Sequence, residues 1–153
     1  MSVLLGIDLG DRRIGVALAE TTSGAVRPLL TLRRGTAARD AAAIDRICRE
    51  HGVEALVVGL PLHLDGRESE QSRRTRDWVD EVAPGLAVPV TLHDERLSSQ
   101  SAEARLGRTP RGRSGGAPSA AARDARRART DREAAAAILQ RALDDRAGLG
   151  ALR

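Results

Sequence analysis

The stretch Val3-Leu4-Leu5-Gly6-Ile7-Asp8-Leu9, resumed after Gly10-Asp11-Arg12 as Arg13-Ile14-Gly15-Val16-Ala17-Leu18-Ala19, decides the fold of this chain. The first run is apolar at nearly every position, the composition of a central strand covered on both faces rather than one with a wet side. Gly10-Asp11 marks its end, and the second run resumes so soon that the two form a hairpin. A third strand over residues 25–32 extends the hairpin into a meander.

Beyond it the period changes. Thr36 has the form of a helix N-cap, Ala43, Ile44, Ile47 and Cys48 fall at helical spacing, and Gly52 is a C-terminal stop, so a helix is predicted over 37–51. Residues 54–59 read as a short apolar strand closed by Leu60-Pro61, and Asp65-Gly66 as a turn. A second helix is predicted over 68–83, with Trp78, Val79 and Val82 inward and Pro84-Gly85 at its end. A fifth strand follows over 88–93, then a helix from Ser98 or Ser99 to about Leu106 and a last helix starting near Thr130. A meander feeding β-α-β crossovers defines an α/β protein with a single five-stranded mixed sheet and helices on both faces.

The 153 residues make one domain by the usual prior of about 100–200 residues each. No apolar run approaches the roughly 18 residues that span a bilayer, and the N-terminus lacks a basic leader and meets Asp8 too early for a secretory signal. A cytoplasmic protein without membrane contact is expected. The single Cys48 excludes an internal disulfide and a cysteine-based zinc site. All 25 basic residues are Arg and Trp78 is the only aromatic side chain, a bias we read chiefly as one of coding. It excludes recognition by aromatic stacking on successive bases.

Charge is unevenly placed. Residues 1–95 carry 12 Arg against 15 acids, whereas residues 96–132 carry 10 Arg against 3 acids, so the whole excess behind the net +4 lies in the latter segment. Gly107-Arg108-Thr109-Pro110-Arg111-Gly112-Arg113-Ser114-Gly115-Gly116 opens a stretch without apolar periodicity, read as a flexible basic loop over about 107–129. Such an arm is either a solvated loop or the footprint of a polyanionic partner.

Three acidic sites stand out. Asp8 lies in the buried first strand on the side of Leu4 and Gly6 and needs a cation there, either a metal or Arg12 or Arg13. His93-Asp94-Glu95-Arg96 offers two acids of opposite parity: Asp94 shares the face of Val88, Val90 and Leu92, and Glu95 that of Thr91 and His93. Thr130-Asp131-Arg132-Glu133 has the form of a capping box, in which Asp131 would serve the helix dipole. Yet Asp131, Ala135, Ile138 and Ala142 share one helical face, directing Asp131 toward the core side. Carboxylates converging from two strands and a helix suit hard divalent cations and phosphodiester hydrolysis.

The segments Gly6-Ile7-Asp8-Leu9-Gly10-Asp11-Arg12-Arg13-Ile14-Gly15-Val16-Ala17, Val58-Gly59-Leu60-Pro61-Leu62, Asp94-Glu95-Arg96-Leu97-Ser98-Ser99, and Asp131 ahead of Ala134-Ala135 and Ile138-Leu139-Gln140 resemble the YqgF/RuvX family in order and spacing over about residues 3–145. The resemblance implies an RNase H-like fold related to the RuvC resolvases, with the first and fourth strands adjacent at a carboxylate site. It implies a nuclease that matures the 5′ end of pre-16S rRNA, using Mg2+ or Mn2+ held by Asp8, Glu95 and Asp131. Arg12, Arg13, Gly59 and Arg96 sit in the same motifs and are implied substrate-binding residues. The choice of Glu95 over Asp94 comes from the resemblance. The domain is then expected over 1–147, with 148–153 as a tail. The linker between the last two helices is longer than is usual in the family.

Structured precursor rRNA is the expected partner of a monomer or homodimer. Branched DNA is the second candidate, since cutting four-way junctions needs the same chemistry in a dimer. A non-catalytic RNA-binding module would bind without metal. Asp8-Leu9-Gly10 with Gly15-Val16-Ala17 also resembles the first phosphate loop of actin-like ATPases, but those use two related domains and this length supplies one.

Overall fold

The computed structural model describes residues 2–62, 67–94 and 119–151, with side chains up to residue 146. Strands β1 (Val3–Leu9), β2 (Arg13–Glu20) and β3 (Val26–Arg33) form the antiparallel meander, followed by helix α1 (Ala37–His51), β4 (Ala55–Leu60), helix α2 (Glu70–Val82), β5 (Val90–Asp94) and helix α3 (Ala120–Ala151). The sheet order is β3-β2-β1-β4-β5, with β4 parallel to β1 and β5 parallel to β4. The expected mixed five-stranded sheet is present, and β1 and β4 are neighbours.

The local signals act as read for α1. Thr36 accepts a hydrogen bond from Arg39 N at 3.2 Å, and Gly52 closes the helix at φ 64°. Helix α2 begins at Glu70 with Ser69 as its cap. The buried Asp40 ties the two helices together, accepting from Trp78 Nε1 at 3.0 Å and from Gly35 N at 2.9 Å.

Two apolar layers flank the sheet. Leu5, Ile7, Ile14, Val16, Leu56 and Val58 pack against Ile44, Ile47, Cys48, Trp78 and Val82 of α1 and α2. Leu4, Ala17, Ala19 and Val57 pack against Ala135, Ile138, Leu139 and Ala142 of α3.

The largest departure from the sequence reading is α3. It starts at Ala120, ten residues before Thr130, with Ser119 as its cap: Ser119 Oγ accepts from Ala122 N at 3.1 Å. Thr130 is no cap, since its Oγ1 donates to Arg126 O at 3.0 Å in mid-helix. Ala and Arg are strong helix formers, so residues 120–129 continue the helix that their charge made resemble a loop. At the other end α3 runs to Ala151, without a break at 147. The predicted Asp65-Gly66 turn, the helix from Ser98 or Ser99, and residues 107–118 lie outside the described residues.

Candidate active site

Asp8 is at the C-terminal end of β1, opposite Gly15 of β2. Leu4 packs under α3, whereas Leu5, Ile7 and Leu9 face α1 and α2, so alternation sets Asp8 on the α3 side. The same side of the hairpin carries its glycines. A Cβ on Gly6 would lie 2.4 Å from Leu139 Cγ, and one on Gly15 only 1.9 Å from the carbonyl oxygen of Asp131. Glycine in a strand marks where another backbone comes close, and here that backbone is α3.

The seating of the Asp131 backbone on Gly15 lays that turn of α3 over the cross-strand partner of Asp8. Residues directly opposite in an antiparallel pair have Cβ positions about 4.5–5.5 Å apart on one face, so the backbone resting on Gly15 is beside Asp8. Asp8 is half-buried, and the Asp131 side chain is 21% exposed. Arg13 fixes the latter: its Nε donates to Asp131 Oδ2 at 2.9 Å, and its Nη1 reaches Asp124 Oδ1 at 3.2 Å, two turns earlier on α3. Arg13 thus acts as a strut between the β1–β2 hairpin and α3.

The row continues across the sheet. Ile7 pairs with Val58, so Gly59 stands next to Asp8 on β4, and Gly59 pairs in turn with His93 on β5. Gly59 is buried and carries no side chain. His93 faces α3, with its Nε2 2.6 Å from Asp145 Oδ2. Val90 and Leu92 pack with the opposite layer, the side that parity assigned to Asp94. Asp94 ends β5 in an exposed position, and Glu95 and Arg96 lie outside the described residues.

His93 and Asp145 were missed by the sequence reading. The shared parity of His93 and Glu95 was the available signal for the first; nothing local marks Asp145. Arg12 and Arg13 border a groove of about 770 Å³ that includes Asp131 and runs along the β1–β2 turn, the end of β3 and the N-terminal half of α3. Among the described residues no three carboxylate, imidazole or thiolate groups gather at metal-binding range. Asp8 on β1 and Asp131 on α3, set on the same side of the sheet, offer oxygen donors only, the donor type that suits a hard divalent ion.

An antiparallel meander, two parallel crossover strands and a long helix laid over a carboxylate-bearing first strand make the RNase H-like fold. Two Thermus thermophilus RuvC structures share it: one in complex with a Holliday junction substrate, with a TM-score of 0.56 at 17% identity over 95% of this chain and 96% of that one, and another at 0.54 and 18%. The chain belongs to the RuvX family, whose model, described as Holliday junction resolvase, matches residues 2–145. Relatives bearing the name "Putative pre-16S rRNA nuclease" include one from Anaeromyxobacter dehalogenans, 46% identical over 94% of this chain and 97% of its own length. Another, from Synechococcus elongatus, is 40% identical over 92% and 88%. Among the described residues no helix is long and apolar enough to cross a membrane.

Proposed function

We propose that this chain is a cytoplasmic, divalent-metal-dependent nuclease that hydrolyses phosphodiester bonds at the 5′ end of precursor 16S rRNA. The observation that carries this reading is the backbone of Asp131 resting on Gly15, the cross-strand partner of Asp8. The names of the relatives supply the substrate class.

Asp8 and Asp131 would hold the ion from β1 and α3, with Glu95 as the third ligand. Strand alternation supports Glu95, because His93 two residues earlier faces α3. Bound Mg2+ or Mn2+ supplies a water of lowered pKa and neutralises charge developing on the attacking and leaving oxygens. Arg13 keeps the Asp131 carboxylate oriented. Gly59, next to Asp8 on β4 and paired with His93, would lie beside the substrate backbone. Arg12, exposed on the β1–β2 turn, would contact the substrate backbone, a role that the motif after Asp94 extends to Arg96.

Asp8→Asn tests the assignment. With magnesium and a 5′-extended 16S rRNA fragment, cleavage falls at least about a hundredfold, equivalent to ~2.7 kcal/mol of barrier, while the melting temperature is maintained. Undiminished cleavage would overturn the site. A four-way DNA junction is run beside it, and cleavage of the junction alone would transfer the reading to a resolvase.

A further inference from the structure

We propose that Arg12, Arg33 and Arg127 form a track that grips the sugar-phosphate backbone of the nucleic acid on one side of the scissile bond. The assignment rests on the nuclease reading above and extends it from Arg12 to Arg33 and Arg127, on β3 and α3.

The groove beside Asp131 brings together five arginines, from the β1–β2 turn, the end of β3 and α3. Its acids are already engaged: Asp131 and Asp124 by Arg13, and Asp11 by Arg74 at 3.7 Å. Arg34 is held by donating to Gly10 O at 3.0 Å. The guanidinium groups of Arg12, Arg33 and Arg127 are exposed and have no side-chain or carbonyl partner among the described residues, yet they line one concavity. Like charges gathered in a groove repel unless an anion joins them, and the planar fork of arginine matches phosphate oxygens in pairs.

A polymer backbone fits this groove better than a small anion. At about 770 Å³ it is as large as sites that take whole ligands of about 300–1,000 Å³, and its charges come from three separate elements. Because Asp131 lines the same groove, a strand lying in it runs past that carboxylate. Base stacking has no place here, since Trp78, the only aromatic side chain, is 4% exposed on the inner face of α2, packed against α1 and the sheet. The contacts therefore position the strand without reading its sequence.

The test uses the Asp8→Asn protein, so that titrations proceed without cleavage. A labelled 5′-extended 16S rRNA fragment is titrated by fluorescence anisotropy between about 50 and 200 mM salt, where each lost phosphate contact removes ~0.7–0.9 from the slope of log K against log salt. Arg33→Ala with Arg127→Ala is expected to reduce that slope by about 1.4–1.8 and weaken binding at least about tenfold. The charge-matched pair Arg27→Ala with Arg73→Ala, both exposed and outside the groove, is expected to leave both nearly unchanged. Equal effects from the two pairs, or none from either, overturn the track. Its failure is separable from that of the nuclease site: if Asp8→Asn still cleaves, the carboxylate assignment falls whatever the slopes show.

Discussion

Gly15 carries more of the site than any charged residue near it. Its hydrogen atoms let α3 settle on β2 with the Asp131 carbonyl where a Cβ would be, 1.9 Å away. The obstacle is helix backbone, which cannot swing aside as a side-chain tip can. Gly15→Ala is therefore expected to destabilise the fold by about 1–3 kcal/mol and to depress cleavage by moving Asp131 from Asp8. Gly35→Ala, whose Cβ would meet only ordinary contacts at 3.6 Å, is expected to change both by little. Denaturant midpoints and cleavage rates for the pair check this, and equal losses would refute it. At this scale the sequence was partly legible: Asp8 and Asp131 stood out by parity and helical face. That Gly15 receives Asp131, 116 positions away, and that Arg13 braces the same carboxylate, follow from packing and have no local sign.

Helix α3 is the element that sequence signals placed least well. The capping-box pattern at Thr130 is real as a pattern, but a cap needs a backbone that has not yet entered the helix, and the ten preceding residues have. Thr36 and Thr130 give a paired prediction. Thr36→Ala removes the acceptor for Arg39 N and is expected to cost about 1 kcal/mol. Thr130→Ala removes only a hydroxyl bonded back to Arg126 O within the helix and is expected to change stability by less than ~0.5 kcal/mol, Ala being the better helix former. Urea unfolding of the two variants measures the contrast, and a loss at Thr130 matching that at Thr36 would contradict the mid-helix assignment. The same early start gives α3 two roles. Its first half carries Asp124 and Arg127 to the groove, and its second half buries Ala135, Ile138, Leu139 and Ala142 on the sheet.

For the whole molecule, composition that looked like coding bias has a consequence for stability against pH. Cys48, on the inner face of α1, lies in the layer between the helices and the sheet, where burial, and secondarily the Asp45 carboxylate, push its thiol from 9.0 up to about 11. With its pKa raised on folding, the folded chain holds the proton that the unfolded chain releases from about pH 9. Stability is thus unaffected by this group below pH 9 and falls as pH rises toward about 11. The chain has no Lys and no Tyr, so no other side chain normally titrates in that window. The urea midpoint is expected to fall between pH 9 and 11 in the native sequence and to stay flat in Cys48→Ala; an equal fall in both would show another group at work. The sequence by itself determined the strand order along the chain, the mixed sheet and the two faces of α1, because each is written in periods of two or 3.6 residues or in motifs a few residues long. Only the tertiary structure decided the start of α3, the seating of the Asp131 backbone on Gly15, the Arg13 strut and the arginine-lined groove. Those depend on how closely two backbones approach across the sheet, a distance set by side chains far apart in the chain.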